Sequence, residues 1–140
     1  MIRAYKDSDF EDVSYLNKIS YEQPCTENEL RAKLANPSWV WDAGEVLGCL
    51  ITEFQKAETP EHPGKVFIWS ITVAPPFRNK GIGAALIRAA VRHYEDIALW
   101  LYVDVDSDAR KLYEREGFKV DQLLLNHYGK NEHAYLMVRR

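Results

Sequence analysis

The chain has 140 residues, of which 46% are hydrophobic and 28% charged, and its formal net charge at pH 7 is -3. This composition excludes a disordered chain and predicts one globular domain over residues 1–140. The acidic balance gives no electrostatic reason to expect nucleic acid as a partner. The two cysteines, Cys25 and Cys49, lack metal-site spacing, so we expect neither a metal site nor a disulfide framework.

The start of the chain, MIRAYKDSDF, carries charges where a signal peptide needs an apolar run. No stretch approaches the ~20 consecutive apolar residues of a membrane-spanning helix. We therefore expect a cytoplasmic protein with no membrane partner.

The first half of the chain predicts a strand, two helices and two further strands. Residues 2–5 favour a short strand, and a helix then starts within residues 7–9. Helical spacing places on one face of this helix Phe10, Val13, Leu16 and Ser20. Thr26 and Glu29 form a capping box for a second helix, and residues 38–54 favour two strands joined by a turn.

The second half alternates strands and helices. Residues 56–65, KAETPEHPGK, favour a loop, and the apolar run VFIWSITV at 66–73 favours a buried strand. After Gly81 a helix is predicted, because apolar residues recur at every fourth position: Ile82, Leu86, Ala90 and Tyr94. Residues 97–103 favour another core strand.

A last helix and two strands complete the pattern. The helix begins at Asp106 or Ser107 and stops at Gly117. Strands at 119–126 and 134–139 flank a predicted loop, HYGKNE. Together the elements predict an α+β fold with about four helices and a central, mostly antiparallel sheet of about six to seven strands. The fourth and fifth strands of that sheet are expected to run parallel.

The segment between the fourth strand and the third helix carries the clearest functional signal. A helix that starts near Gly81 presents unpaired backbone N–H groups and the positive end of its dipole. Gly81 and Gly83 let an anion approach the backbone, while Arg78 and Lys80 add positive charge, which favours a pyrophosphate site. The alternative, a simple turn at Pro75-Pro76 followed by an ordinary helix start, stays open.

Residues 78–83, RNKGIG, fit neither a Walker A loop nor a dinucleotide-binding fingerprint. They resemble the R/Q-x-x-G-x-G/A signature of the GNAT superfamily of acyl-CoA N-acyltransferases. Residues 109–118, ARKLYEREGF, resemble the later A-x-x-L-Y-x-x-x-G-F element of that family. The ending NHYGKNEHAYLMVRR resembles the final hairpin of the subgroup that acetylates protein N-terminal amines.

The resemblance implies a GNAT-like sheet that is splayed between strands 4 and 5, with acetyl-CoA as the co-substrate. Backbone groups of Ile71, Thr72 and Val73 would pair with the pantetheine arm. The pyrophosphate would be held by the segment Arg78, Asn79, Lys80, Gly81, Ile82, Gly83 and Ala84. Asp106 stands where the family often has an asparagine that bonds the pantetheine, and because an ionised carboxylate cannot donate, this contact is in doubt.

Tyr113 matches the family tyrosine whose hydroxyl lies near the thioester sulfur. The resemblance implies that Tyr113 donates a proton to the departing thiolate, since a phenol with a pKa near ~10 is protonated at neutral pH. Tyr113 also shares an apolar stripe with Ala109 and Leu112, so the alternative role of a core aromatic stays open.

The general base is the least defined part of the predicted site. An attacking amine must lose a proton, yet Phe67 and Tyr102 stand where relatives carry a basic glutamate. The remaining candidates are Asp104, Glu53 and His127, acting directly or through a water molecule. Of these we rank Asp104 first.

These features predict an acetyl-CoA-dependent N-acetyltransferase that uses direct attack in a ternary complex. The acceptor is a primary amine on a protein N-terminus, a lysine or a small molecule. A donor with a longer acyl chain is an alternative to acetyl-CoA. A non-catalytic CoA-binding module is a second hypothesis. A toxin that acetylates aminoacyl-tRNA is a third, which the acidic pI of about 5.8 disfavours. An edge strand could also pair two copies as a homodimer.

Overall fold

The computed structural model describes residues 1–56 and 64–140. Its strands are β1 (Ile2–Ala4), β2 (Ser38–Asp42), β3 (Val46–Gln55), β4 (Lys65–Val73), β5 (Leu99–Asp104), β6 (Lys119–Gly129) and β7 (Glu132–Arg139). Its α-helices are α1 (Phe10–Ser20), α2 (Glu27–Leu34), α3 (Ile82–His93) and α4 (Ala109–Arg115), and short 3-10 turns cover Asp7–Asp9 and Pro75–Phe77. The predicted loop at 56–65 lies largely outside the described residues.

The strands form one sheet in the order β1-β2-β3-β4-β5-β7-β6. All neighbouring pairs are antiparallel except β4 and β5, which are parallel. β4 and β5 pair only at Val66–Leu99 and Phe67–Trp100, so the two strands separate beyond Phe67. The predicted α+β fold, with its parallel unit and its split sheet, is therefore confirmed.

Helices cover both faces of the sheet. Successive residues of a strand point to opposite faces. Leu50 of β3 belongs to a core cluster with Leu86 and Ala90 of α3. The neighbouring Cys49 instead packs in a second cluster, which includes the helix residues Phe10, Val13 and Leu16 of α1 and Leu30 and Leu34 of α2. The apolar stripes predicted for α1 and α3 are thus buried except at their ends, where Ser20 is half-buried and Tyr94 follows the last residue of α3.

Local signals place several helix ends correctly. The Thr26 hydroxyl accepts a hydrogen bond from the backbone N–H of Glu29 at 3.2 Å, as the predicted capping box requires. Gly81 precedes α3 with φ +85° and Gly117 follows α4 with φ +96°, the left-handed region that favours glycine. None of the helices within residues 1–56 and 64–140 is long and apolar enough to cross a membrane.

The predicted loop HYGKNE is wrong in extent. β6 continues to Gly129 and β7 begins at Glu132, so most of this segment is strand and the connection is a tight hairpin. Asn126 and Asn131 both adopt left-handed backbone conformations, with φ of 57° and 63°. The Asn126 N–H donates to Nδ1 of His133 at 2.9 Å, and the Asn131 N–H donates to Oδ1 of Asn126 at 2.8 Å. The side chains of His133 and Asn126 therefore accept hydrogen bonds from backbone N–H groups of the hairpin, so these groups are satisfied without a loop.

A buried carboxylate links the start of the chain to the sheet. The Arg3 guanidinium donates to both carboxylate oxygens of Asp9 at 2.8 Å and to Asp42 at 2.9 Å. Asp9 is only 5% exposed and also accepts the backbone N–H of Lys6 at 3.0 Å. These hydrogen bonds from Arg3 hold the pKa of Asp9 below its ordinary value.

We expect Asp9→Asn to lower the free energy of unfolding at pH 7 by roughly 1–3 kcal/mol, since it removes a charge-assisted hydrogen bond at a buried position. Because the pKa of Asp9 is lowered in the folded state, its contribution is present above the unfolded carboxyl pKa of about 3.9. That contribution is lost as pH falls through the folded pKa. Urea denaturation between pH 7 and pH 2 measures this, with the exposed Asp7→Asn as control. The lowered pKa of Asp9 would be contradicted if the loss of unfolding free energy in Asp9→Asn were as large at pH 2 as at pH 7.

Candidate active site

Two cavities meet where β4 and β5 separate. The larger, of about 860 Å³, lies between the end of β4, the start of α3 and helix α4. The smaller, of about 450 Å³, lies between β4, β5 and the segment that joins α1 to α2. Both are lined by Tyr21, Ile71, Ser107, Ala109 and Tyr113, so a ligand in one can reach a ligand in the other.

The start of α3 forms one wall of the larger cavity. The N–H groups of its first turn have no partner within the helix, and the first intrahelical bond runs from Ala85 to the carbonyl of Gly81 at 3.0 Å. Arg78 is held nearby, because its Nε donates to the carbonyl of Val73 at 2.9 Å. A Cβ on Gly83 would lie 3.1 Å from Cδ2 of Leu112, so glycine lets α3 approach α4 closely. The wall is electropositive and consists partly of bare backbone.

Most of the predicted cofactor-binding residues line this cavity: Ile71, Thr72, Val73, Arg78, Asn79, Gly81, Ile82, Gly83 and Ala84. Lys80 is not on the wall, and its Nζ lies 5.8 Å from the ring centroid of Phe77. Asp106 is exposed and outside both cavities, and its N–H donates to Oδ1 of Asp104 at 2.8 Å. The next residue, Ser107, lines both cavities instead.

β4 presents free backbone to the larger cavity. On one side Ile71, Thr72 and Val73 pair with β3. On the other side β5 no longer pairs with β4 at these positions, because the ladder ends at Phe67. An extended ligand can therefore add to this edge of β4 as a further strand does.

Tyr113 stands at the junction of the two cavities. It is 7% exposed, belongs to the core cluster, and its ring centroid lies 6.1 Å from that of Phe118. Burial raises the pKa of Tyr113 above the ordinary phenol value, and the nearby Tyr21 and Tyr128 raise it further. Tyr113 is therefore a core aromatic, as one alternative predicted, and it also lines both cavities, while its role as a proton donor stays a prediction.

The smaller cavity is aromatic and carries one carboxylate. Tyr21, Trp69, Tyr102 and Tyr128 contribute rings, and the hydroxyl of Tyr21 lies 2.7 Å from that of Ser70. Among its described lining residues, the one charged side chain is Asp104. Burial raises the pKa of Tyr128, and the negative charge of Asp104 adds to that effect. The cavity is suited to a positively charged or polar group that enters between aromatic rings.

The other two candidate bases lie elsewhere. Glu53 forms an ion pair with Lys33 and does not line the smaller cavity. His127 stacks on Tyr102 with ring centroids 4.5 Å apart, and Tyr102 stacks in turn on Phe67 at 5.1 Å. These stacked rings occupy the sheet positions where relatives are expected to carry a glutamate.

Sequence reasoning missed several residues on the cavity walls. Tyr21 lies in a segment without a motif, and Tyr128 was assigned to a loop. Ser20 lines the larger cavity, and its hydroxyl is buried without a hydrogen-bond partner among the described residues. Arg88 and Arg115 sit at polar positions of α3 and α4, where no sequence signal separates a ligand-binding arginine from a solvent-exposed one.

Comparison with known proteins identifies the family. The model of the Acetyltransferase (GNAT) family matches residues 3–118. The chain belongs to this GNAT acetyltransferase family. The predicted resemblance is thus confirmed on a match that includes both quoted motifs.

Individual relatives of this GNAT chain include archaeal and bacterial enzymes. An N-alpha-acetyltransferase from Sulfurisphaera tokodaii is 32% identical over 104 residues, which cover 67% of this chain and 62% of the relative. A mycothiol acetyltransferase from Paenarthrobacter aurescens is 35% identical over 79 residues, 54% of this chain and 24% of the relative. The match thus spans less than two thirds of the length of either relative.

Solved structures share the fold at low identity. NAA60 from Arabidopsis thaliana, in complex with a bisubstrate analogue, superposes with a TM-score of 0.84 at 21% identity, covering 99% of this chain and 95% of that one. The ribosomal-protein-S18-alanine N-acetyltransferase from Escherichia coli gives a TM-score of 0.81 at 19% identity, covering 99% and 92%.

The raised pKa of Tyr113 has a spectroscopic consequence. We expect wild type and Tyr113→Phe to give the same tyrosinate absorbance while both remain folded as pH rises through about 10, because the buried phenol keeps its proton. A near-ultraviolet titration of wild type and Tyr113→Phe measures this, and a lower tyrosinate amplitude in Tyr113→Phe than in wild type would contradict a raised pKa.

Proposed function

We propose that this GNAT protein is an acetyl-CoA-dependent N-acetyltransferase whose acceptor is the N-terminal amine of a protein or peptide. The observation that carries the proposal is the junction at Tyr113, where an electropositive cavity and an aromatic, acidic cavity meet. Two relatives from Sulfolobales genera, at 32% and 31% identity, are named N-alpha-acetyltransferases. NAA60 was solved with acetyl-CoA, and Arabidopsis Naa50 with the bisubstrate analogue CoA-Ac-MVNAL.

The larger cavity takes the cofactor. Its pyrophosphate binds the free N–H groups at the start of α3, where the helix dipole favours negative charge and Arg78 adds a cation. Gly83 lines this cavity and, without a side chain, lets the start of α3 lie against Leu112 of α4. The pantetheine arm pairs with the free edge of β4 at Ile71–Val73, because β5 has already turned away.

The cofactor must then place its thioester at the junction. An arm that follows β4 from the α3 start toward Ile71 ends beside Tyr113, which lines both cavities. Ser107 and Ser20 supply hydroxyls along this path, and the Ser20 hydroxyl lacks a partner among the described residues. These hydroxyls can replace the contact that Asp106 cannot make as a donor.

Transfer of the acetyl group forms one carbon–nitrogen bond and breaks one carbon–sulfur bond. The neutral amine attacks the thioester carbon, and a backbone N–H of β4 near Val73 stabilises the tetrahedral oxyanion. The nitrogen loses its proton to Asp104, directly or through a water molecule, and the carbon–sulfur bond breaks. Tyr113, whose buried phenol keeps its proton at neutral pH, gives that proton to the departing thiolate as negative charge forms on the sulfur.

The acceptor enters through the smaller cavity. Asp104 attracts the incoming ammonium among the rings of Tyr21, Trp69 and Tyr128. The ammonium releases one proton to solvent before it attacks, so the Asp104 carboxylate is free to accept the second. Tyr21, from the segment that joins α1 to α2, and Tyr128 of β6 line this cavity, and both are exposed to solvent. A cavity wall that solvent reaches suits the extended end of a polypeptide.

A panel of amines tests the function. We expect acetyl-CoA turnover with peptides that carry a free N-terminus to exceed turnover with N-terminally blocked lysine peptides, polyamines and small amines by at least tenfold in kcat/KM. Tyr113→Phe should lower kcat by about 10²-fold, the usual contribution of a positioned acid, with the KM for acetyl-CoA within threefold of wild type.

The exposed Tyr15→Phe is the control and should retain wild-type kcat. Bound CoA without turnover of any amine would contradict the enzymatic assignment. Turnover that is unaffected by Tyr113→Phe would contradict the role of Tyr113 alone.

The cofactor cradle has its own test. We expect Gly83→Val to raise the KM for acetyl-CoA more than tenfold, because a branched side chain at this cavity-lining position collides with Leu112 and displaces the start of α3, which holds the phosphates. Ala85→Val places the same side chain two residues further along α3, at a position that does not line the cavity. It should change the KM for acetyl-CoA by less than threefold. Thermal unfolding of both variants checks that the fold is retained, and an unchanged KM in a folded Gly83→Val protein would refute the cradle.

A further inference from the structure

The larger cavity extends beyond the cradle for the pyrophosphate. Its far end lies between α3 and α4 and is lined by Arg88, Arg115 and Glu116. Arg88 follows Gly81 by seven residues, about 10 Å along the helix axis at 1.5 Å per residue. This end is therefore separate from the start of α3, and neither the pantetheine nor the pyrophosphate contacts assigned above require it.

Two arginines at this end differ in how they are paired. The Arg88 guanidinium makes a two-point contact with the Glu116 carboxylate, at 2.8 Å and 3.2 Å, which holds its position. For Arg115, no carboxylate among residues 1–56 and 64–140 lies within ion-pair distance. Arg110, on the same helix, is instead paired with Glu114 at 3.1 Å and lies outside the cavity lining. The positive charge of Arg115 is therefore not neutralised by a carboxylate of the described residues.

The remaining acidic residue of the larger cavity does not cancel this charge. Asp108 precedes α4, whereas Arg115 is its last residue, and seven residues of helix separate them by about 10 Å. The side chain of Arg88 is 65% exposed and gives Glu116 only part of its hydrogen-bonding capacity, so its remaining N–H groups are available to a second anion. A ligand with two negative charges gains from both guanidiniums here.

We propose that Arg115, with Arg88 held beside it by Glu116, binds the 3′-phosphate on the ribose of CoA. This inference rests on the proposed use of acetyl-CoA. Beyond its pyrophosphate the cofactor continues into an adenosine whose ribose carries this phosphate monoester, with a charge of about -1.5 to -2 at pH 7. Guanidinium groups match phosphate oxygens in geometry as well as charge. The protein therefore selects CoA over dephospho-CoA through the far end of the larger cavity.

Calorimetric titration with CoA and dephospho-CoA tests this selection without relying on turnover. We expect wild type to bind CoA at least tenfold more tightly than dephospho-CoA. Arg115→Gln should reduce the ratio of the two affinities to below threefold, by weakening the binding of CoA but not that of dephospho-CoA. Arg88→Gln should give a ratio between that of Arg115→Gln and that of wild type. Arg110→Gln is the matched control on α4 and should keep the wild-type ratio. In 1 M salt, where the screening length is about 3 Å, the ratio should fall.

Each outcome separates this inference from the proposed function. If neither CoA nor dephospho-CoA binds to wild type, the proposed cofactor and the phosphate site both fail. If wild type binds the two equally, or if Arg115→Gln weakens both to the same extent, the phosphate site is overturned while the use of CoA stands. Because Arg115 is exposed, its substitution leaves the core intact.

Discussion

The separation of β4 from β5 is the constraint on which the rest of the site depends. Two parallel strands that are neighbours in one sheet pair at only two positions, Val66–Leu99 and Phe67–Trp100. The backbone of β4 beyond Phe67 consequently has an unpaired edge, which a soluble domain must either cover or use. The same separation opens the two cavities, so the cofactor edge and the acceptor space arise from one feature of the sheet.

Close packing of α3 against α4 gives the cavities a common wall. Gly81 provides the left-handed turn before α3, and Gly83 allows Leu112 of α4 to approach it. This packing carries Tyr113 to the junction, where core neighbours exclude water and keep the phenol protonated. A residue that helps hold the domain together thus also lines both cavities, where we propose that it acts as the acid.

Charge is distributed unevenly in a protein whose net charge is -3. Arginines line the larger cavity, whereas the smaller cavity combines aromatic rings with Asp104. We infer that this division suits an anionic donor in the larger cavity and a cationic acceptor in the smaller one.

The sequence by itself determined the features that depend on neighbouring residues: the apolar stripes of α1 and α3, the Thr26–Glu29 cap, the glycines before and within α3, and the family to which these motifs belong. Interactions within one or two helical turns decide such features. The tertiary structure alone decided that β6 and β7 extend through a predicted loop, that Ser107 rather than Asp106 lines the cavities, and that Tyr21 and Tyr128 face Asp104 across one space. These residues are far apart in the chain, and only long-range strand pairing and helix packing bring them together.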